Sequence, residues 1–288
     1  MTLMNLPDGR TLDIRIGGPA AGPVLLFHHG TPGSAAPFRF ITTAARALGM
    51  RTITYSRPGY GDSTRHVGRT VADVVPDLLH VLDRLGIQDC VTAGWSGGGP
   101  HALACGVLAP DRVRGVLTIA GVAPYDAPGL NFLDGMGEEN VEEFGATVAG
   151  EHAWRAAMGD DIEQLAHATA QNIVAGMSTL LPESDLAVLS DEFGQDLAAG
   201  FREGLRNGAD GWLDDDLTFV RPWGFDLSKI EVPTHVWQGS EDLMVPAAHG
   251  RWLAQAIPGV AAHLLQGEGH LSVVIGSIDA MLADLIGE

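Results

Sequence analysis

One serine, two late loops and one early loop hold the side chains whose types and spacing can do chemistry. Ser96 stands in Gly94-Trp95-Ser96-Gly97-Gly98. A hydroxyl with glycines two residues to either side fits a turn too sharp for neighbouring Cβ atoms, and Gly94 and Gly98 meet that need. The apolar run Cys90-Val91-Thr92-Ala93 precedes the turn, and Gly99 to Leu108 reads as a buried helix after it. A helix that starts behind Ser96 points its first N–H groups at the place where negative charge develops during attack on a carbonyl. A serine hydroxyl is a poor nucleophile at neutral pH. It needs an adjacent base, best a histidine oriented by a carboxylate.

On a strand–turn–helix elbow the chain order is Ser, acid, His. Gly239-Ser240-Glu241-Asp242 and Gly269-His270-Leu271 supply Asp242 and His270 in that order. Glu241, beside Asp242, and Asp126, after an earlier strand, are competing acids. His270 is the one histidine in a glycine-flanked loop at the right point. His235 and His263 fall in strands and read as satisfied core histidines, and His249 reads as helix surface. His28 and His101 read as structural, with pocket lining as the alternative. Two backbone donors must await the tetrahedral oxyanion. Gly97, after the nucleophile, is one, and Thr31, in the loop after the first buried strand, is the other, with its side chain a further donor. His29 is expected to brace that loop without transferring a proton. His29 and Trp95 are assigned to the substrate-binding wall. Arg57-Pro58-Gly59-Tyr60-Gly61-Asp62-Ser63 reads as scaffolding, its arginine and aspartate tying loops together.

The elements that must place these residues alternate. Leu3 to Leu6 and Thr11 to Ile16 flank Pro7-Asp8-Gly9-Arg10, a hairpin signal. Strands are expected at 24–28, 51–55, 90–93 and 113–120. Helices are expected at 36–48, 99–108 and from Thr70 to Leu85, the last kinked at Pro76. That alternation specifies an α/β fold with a mostly parallel sheet and helices on both faces. Ligands then bind beyond the carboxyl ends of the strands. From Gly121 the texture changes. Amphipathic helices are expected at 138–148, 151–158, 162–177, 183–189 and 195–207, with no strand until residue 234. The chain divides into a core of 1–120 and 227–288 and a helical insertion of 121–226. Strands at 234–238 and 260–265 and helices at 247–256 and 271–286 complete the core.

The 288 residues carry a formal net charge of −19. Residues 121–226 hold 21 Asp and Glu against 4 Arg, and the remainder holds 15 against 13, so the acidity is concentrated in the insertion. Its two readings are a solvated surface and a cap that rejects anions or holds a cation. Either argues against nucleic acid or an anionic membrane as partner. No apolar run is long enough for a membrane span, and the N-terminus does not read as a signal peptide. Cys90 and Cys105 read as free core thiols, and a cytoplasmic location is expected. No HExxH, Cys/His cluster or phosphate loop is present, so no metal or cofactor is expected and the partner is a small-molecule substrate.

Taken in order, His29-Gly30-Thr31-Pro32-Gly33, Arg57 to Ser63, the Ser96 elbow, Gly239-Ser240-Glu241-Asp242 and Gly269-His270 resemble the α/β-hydrolase superfamily along nearly the full chain. The resemblance implies an eight-stranded sheet, a Ser96–Asp242–His270 triad, and a helical cap after the sixth strand. It does not fix the reaction. Haloalkane dehalogenases and epoxide hydrolases in this superfamily use an aspartate nucleophile, from which Ser96 departs. Proline iminopeptidases share the cap and the acidity, yet their elbow carries Trp where Gly97 stands and their first loop Gly where Thr31 stands. The expected activity is a serine hydrolase cleaving small esters through an acyl-enzyme. The alternatives are an aminopeptidase or amidase of the iminopeptidase type and a triad-bearing ligand sensor.

Overall fold

A computed structural model describes residues 2–176 and 179–287. β1 (Thr2–Asn5) and β2 (Thr11–Gly17) pair antiparallel. Gly9 turns the chain between them at φ 90°. The core continues as β3 (Val24–His28), α1 (Arg39–Ala47), β4 (Arg51–Tyr55), α2 (Val74–Arg84), β5 (Cys90–Trp95), α3 (Gly99–Leu108) and β6 (Val113–Ile119). Among the described residues the next segment holds no strand. Its helices are α4 (Glu138–Ala149), α5 (Glu151–Ala157), α6 (Gly159–Ala166), α7 (Ala170–Gly176), α8 (Glu183–Val188), α9 (Asp191–Leu205) and α10 (Asp210–Phe219). They form the cap. The core resumes with β7 (Thr234–Gly239), α11 (Ala247–Ala256), β8 (Ala261–Leu265) and α12 (Ser272–Ile286).

The eight strands lie in the order β1-β2-β4-β3-β5-β6-β7-β8. β2 runs antiparallel to β4, and the pairings from β4 to β8 are parallel. β3 and β5 sit at the centre and every residue of both is buried. This is why they read as unbroken apolar runs. β1 and β8 are the edges and are largely exposed. One apolar core runs from the sheet into the cap through Phe144, Phe193 and Phe219. A smaller one gathers Tyr60, Trp154, Leu205 and Trp212 between the loop after β4 and the cap helices. No helix among the described residues is long and apolar enough to cross a membrane.

Several expectations are corrected. α1 starts at Arg39, because Pro37 disfavours helix at the residue before it and Phe38 is extended. Pro76 lies in the first turn of α2, where its missing N–H has no intrahelical partner, so it is no mid-helix breaker. The single helix expected over 162–177 is two: α6 ends at Ala166 and α7 starts at Ala170. Thr169 and Asn172 cap the restart, each side chain accepting from the other's backbone N–H. Met177 lies outside the described residues. α10 was not expected at all. His249 is not surface but fully buried: Nδ1 accepts from Ala123 N and Nε2 donates to Phe132 O, tying α11 to the entry of the cap. His235 and His263 are only half-buried, and His235 Nδ1 and His263 Nε2 find no hydrogen-bond partner among the described residues, although Asp284 Oδ2 lies 3.9 Å from His263 Nε2. His263 is instead stacked on Trp237 at 4.0 Å. Cys90 and Cys105 are free and buried, as expected. Burial pushes the Cys90 thiol up to about 12, so it stays protonated.

Candidate active site

The chain leaves β3 toward β4 on one side and returns as β5 on the other. The crevice of the sheet therefore opens between the carboxyl ends of β3 and β5. His28 pairs with Gly94 across it, which puts the loop after β3 beside the turn after β5. Ser96 makes that turn at φ 56°, a left-handed conformation that costs a non-glycine residue about 1–3 kcal/mol. The neighbours allow it. A Cβ on Gly94 would strike Gly98 O, and a Cβ on Gly98 would strike His28 O. Gly98→Ala is therefore expected to destabilise the protein by about 1–3 kcal/mol through overpacking. A lower urea midpoint at unchanged m measures it, and an unchanged midpoint would show that the elbow has room.

Thr31 and Gly97 are neighbours: a Cβ on Gly97 would meet the Thr31 hydroxyl. Both line, with Ser96, the larger of two cavities beneath the cap. The Thr31 side chain is not a free donor as expected. Its hydroxyl donates to Asp215 Oδ2 at 2.7 Å and accepts from Arg57.

Asp242 and His270 meet. His270 Nδ1 lies 2.8 Å from Asp242 Oδ2, and both residues are buried. Oδ1 of Asp242 accepts from Met244 N and Val245 N, and Oδ2 also accepts from Gln238 Nε2. The carboxylate is therefore fixed from three sides. Glu241 and Asp126 are exposed and do not compete. With Nδ1–H donated to Asp242, Nε2 is left as the basic nitrogen. Burial alone would lower the imidazole's pKa, but the Asp242 charge and hydrogen bond outweigh it and the net shift is upward from 6.5. Ser96 and His270 line the second cavity together, along with Trp95 and His29. No hydrogen bond of 3.5 Å or less joins the Ser96 hydroxyl to His270 among the described residues. Such contacts commonly tighten only when substrate is bound.

Trp95 donates from Nε1 to His270 O at 3.3 Å and lays its ring against the imidazole. His29 is locked in the loop, Nδ1 donating to Gly30 O and Nε2 accepting from Arg57 N. Burial, then the Arg57 charge, holds its pKa well down, so it stays neutral. His28 is bonded to Tyr55 Oη and Thr92 Oγ1, and His101 Nδ1 donates to Gly97 O, so both are structural.

The sequence placed Arg57 in a scaffold but not its partner. Arg57 is fully buried and binds Asp215 of α10, with a shortest contact of 2.6 Å. Its other N–H groups donate to the carbonyls of His29 and Gly30. Arg69 and Tyr60 also donate to Asp215. The cap thereby fixes the loop that carries Thr31. Asp62 serves a separate tie, pairing with Arg206 of the cap.

The far wall of the larger cavity is acidic. Glu139, Glu143, Asp161 and Asp216 line it, and Trp212 stands beside them. Trp212 Nε1 donates to Glu143, and Trp154 Nε1 donates to Asp216 at 2.6 Å. Burial, then the negative charge of Glu143, raises the Asp216 carboxyl far above its usual range, and burial raises the Glu143 carboxyl as well. None of the four was singled out from the sequence, where each is one acid among many. Their signal was the concentration of charge in the insertion.

A family model described as alpha/beta hydrolase fold matches residues 23–276. The chain is 26% identical over 274 residues to an uncharacterized hydrolase, YcgS, of Bacillus subtilis, covering 92% of this chain and 89% of that protein. It is 25% identical over 250 residues to the bifunctional esterase/perhydrolase DCH of Acinetobacter calcoaceticus, covering 85% of this chain and 84% of that protein. A solved hydrolase from Pseudomonas aeruginosa superposes with a TM-score of 0.71 at 20% identity, over 100% of this chain and 98% of that one.

Proposed function

Because the chain belongs to the alpha/beta hydrolase fold family, we propose that it is a serine hydrolase that cleaves small esters through an acyl-enzyme. The carrying observation is geometric: strained Ser96 and Asp242-bound His270 open on one cavity, and Thr31 and Gly97 flank the serine. Ser96 Oγ attacks the ester carbonyl carbon and its proton passes to His270 Nε2. The oxyanion is received by the backbone N–H groups of Gly97 and Thr31. The intermediate collapses, the C–O bond to the alcohol breaks, and His270 returns the proton to the departing oxygen. Water then attacks the acyl-enzyme by the same route and releases the acid. Asp242 holds the tautomer and stabilises the imidazolium. The esterase in the name of the Acinetobacter relative agrees with this chemistry.

Stoichiometric labelling by an organophosphate tests the reading. One adduct per chain on the peptide containing Ser96 is expected, and labelling elsewhere or not at all overturns it. The pH dependence gives a second test. His270 acts as a base only when neutral, so kcat/KM for an ester rises with pH through its pKa. That pKa is displaced upward, which puts the acid limb above the ordinary imidazole value of 6.5. A limb below that value, or a flat profile across it, would count against His270 as the base.

The acidic wall favours a second reading. A substrate with a free amine fits a cavity lined by Glu139, Glu143, Asp161 and Asp216, which makes the enzyme an aminopeptidase or amidase on the same triad. A substrate with a free N-terminus would then be cleaved and its N-acetylated form spared. Equal turnover of the two removes this reading and leaves the ester hydrolase.

A further inference from the structure

We propose that Asp185, a cap residue, is a positioning residue for the base: its carboxylate grips the backbone on which His270 stands. The proposal rests on the serine-hydrolase reading above. Asp185 lies in α8 and is fully buried. Its Oδ2 accepts from His270 N at 2.9 Å, and its Oδ1 accepts from Leu271 N and Ser272 N, each at 2.9 Å. These three N–H groups lead into α12, with Leu271 as its N-cap and Ser272 as its first residue, and a helix has no carbonyls of its own to offer its opening N–H groups. A carboxylate from a segment 85 residues earlier takes all three. The packing is close enough to dictate sequence: a Cβ on Gly269 would overlap the Asp185 carboxyl group. Ser272 Oγ closes the loop by accepting from Gly269 N at 2.7 Å.

His270 is thus held twice, by its ring through Asp242 of the core and by its main chain through Asp185 of the cap. A ring nitrogen that must reach Ser96 is sensitive to both, because proton transfer needs the donor and acceptor within about 3 Å. Asp185 also adds charge. The charged groups facing the imidazole are Asp242, from the loop after β7, and Asp185, from α8, with the neutral Trp95 ring on the β5 side. Both carboxylates favour the imidazolium that forms in each step. A cap residue therefore tunes the proton transfer as well as shaping the space above it.

The test separates charge from geometry. Asp185→Asn keeps the shape, loses the charge and turns an N–H-bearing amide toward backbone donors. It is expected to lower kcat about 10- to 100-fold with KM within about two-fold, and to move the acid limb of kcat/KM to lower pH, since losing a nearby negative charge lowers the His270 pKa. Asp185→Glu keeps the charge and displaces the contacts, so kcat falls while the limb stays; it carries the test if Asp185→Asn does not fold. A folded Asp185→Asn with wild-type kcat and limb overturns the proposal. So does a loss of activity that only tracks the unfolded fraction, with the limb unmoved. Titration of the His270 ring by NMR gives a readout free of turnover: the midpoint must fall in Asp185→Asn. Ser96→Ala, assayed alongside, keeps the two readings apart. Turnover surviving in Ser96→Ala sinks the serine mechanism, whereas an unshifted His270 midpoint in Asp185→Asn sinks the role of Asp185.

Discussion

Ser96→Ala is expected to lower kcat/KM for a short p-nitrophenyl ester by about four to six orders of magnitude while leaving the fold intact. The size follows from the division of labour. Without the hydroxyl there is no acyl-enzyme, and what remains is the help of the backbone donors and of binding. Stability should hardly change, because alanine keeps the Cβ that already sits at φ 56° and the hydroxyl bonds no described residue. His270→Ala is expected to lose a similar amount, and the double variant little more than either, because the pair acts as a unit. Steady-state kinetics of the three variants, with circular dichroism as the control, decide it. Undiminished turnover in Ser96→Ala, or losses that simply multiply, would be incompatible with nucleophile and base working together.

Asp215→Ala is expected to be the most destabilising single change, at about 3–5 kcal/mol. Deleting the carboxylate strands the guanidinium of Arg57, which is fully buried, and leaves Arg69, Tyr60 and the Thr31 hydroxyl without their acceptor. A buried charge with no partner costs far more than a lost surface pair. The melting temperature should fall by roughly 10 °C or more, and ester turnover should fall further than the folded fraction, because the Gly30–Thr31 loop loses its brace. The same pair sets an acid limit. Burial pushes the Asp215 carboxyl up, but the charges of Arg57 and Arg69 prevail and hold it far below the usual carboxylate range. A depressed folded-state pKa contributes stability that is present above the unfolded value and is lost as pH falls toward the folded one. In Asp215→Asn the acid-unfolding transition should consequently be shallower. A wild-type melting curve for Asp215→Ala would mean that the arginines find other partners.

The sequence was most legible where chemistry demands local shape. Gly94, Ser96 and Gly98 announce the elbow because a Cβ at either glycine has nowhere to go. Asp242 and His270 sit in glycine-rich loops after strands whose apolar runs are easily read. Long-range partners were not legible. Arg57 and Asp215 are 158 residues apart, and no local pattern links them. α10 was missed because it is buried on nearly every side, so its apolar residues show no face, and Gly211 and the run Asp214-Asp215-Asp216 resemble an exposed turn. Each of those aspartates is buried with a partner: Arg65 for Asp214, Arg57 for Asp215 and Trp154 for Asp216. The acidity of the insertion was visible as a charge count. The count could not separate the solvated acids from the four that line the cavity.

The distance along the chain between Arg57 and Asp215 has a consequence in time. During synthesis the strands from β1 to β6, with Ser96 and the Thr31 loop, leave the ribosome before any of the cap. Arg57 must wait in water, because the carboxylate that permits its burial is still unmade. At about 5–20 residues per second, a separation of 158 residues corresponds to roughly eight to thirty seconds. Ser96, the proposed nucleophile, is therefore translated early, but the Gly30–Thr31 loop proposed to receive the oxyanion cannot set until α10 arrives. Nascent chains stalled just short of Asp210 lack Asp242 and His270 as well as the Asp215 brace, so no small-molecule label should recognise their unset site.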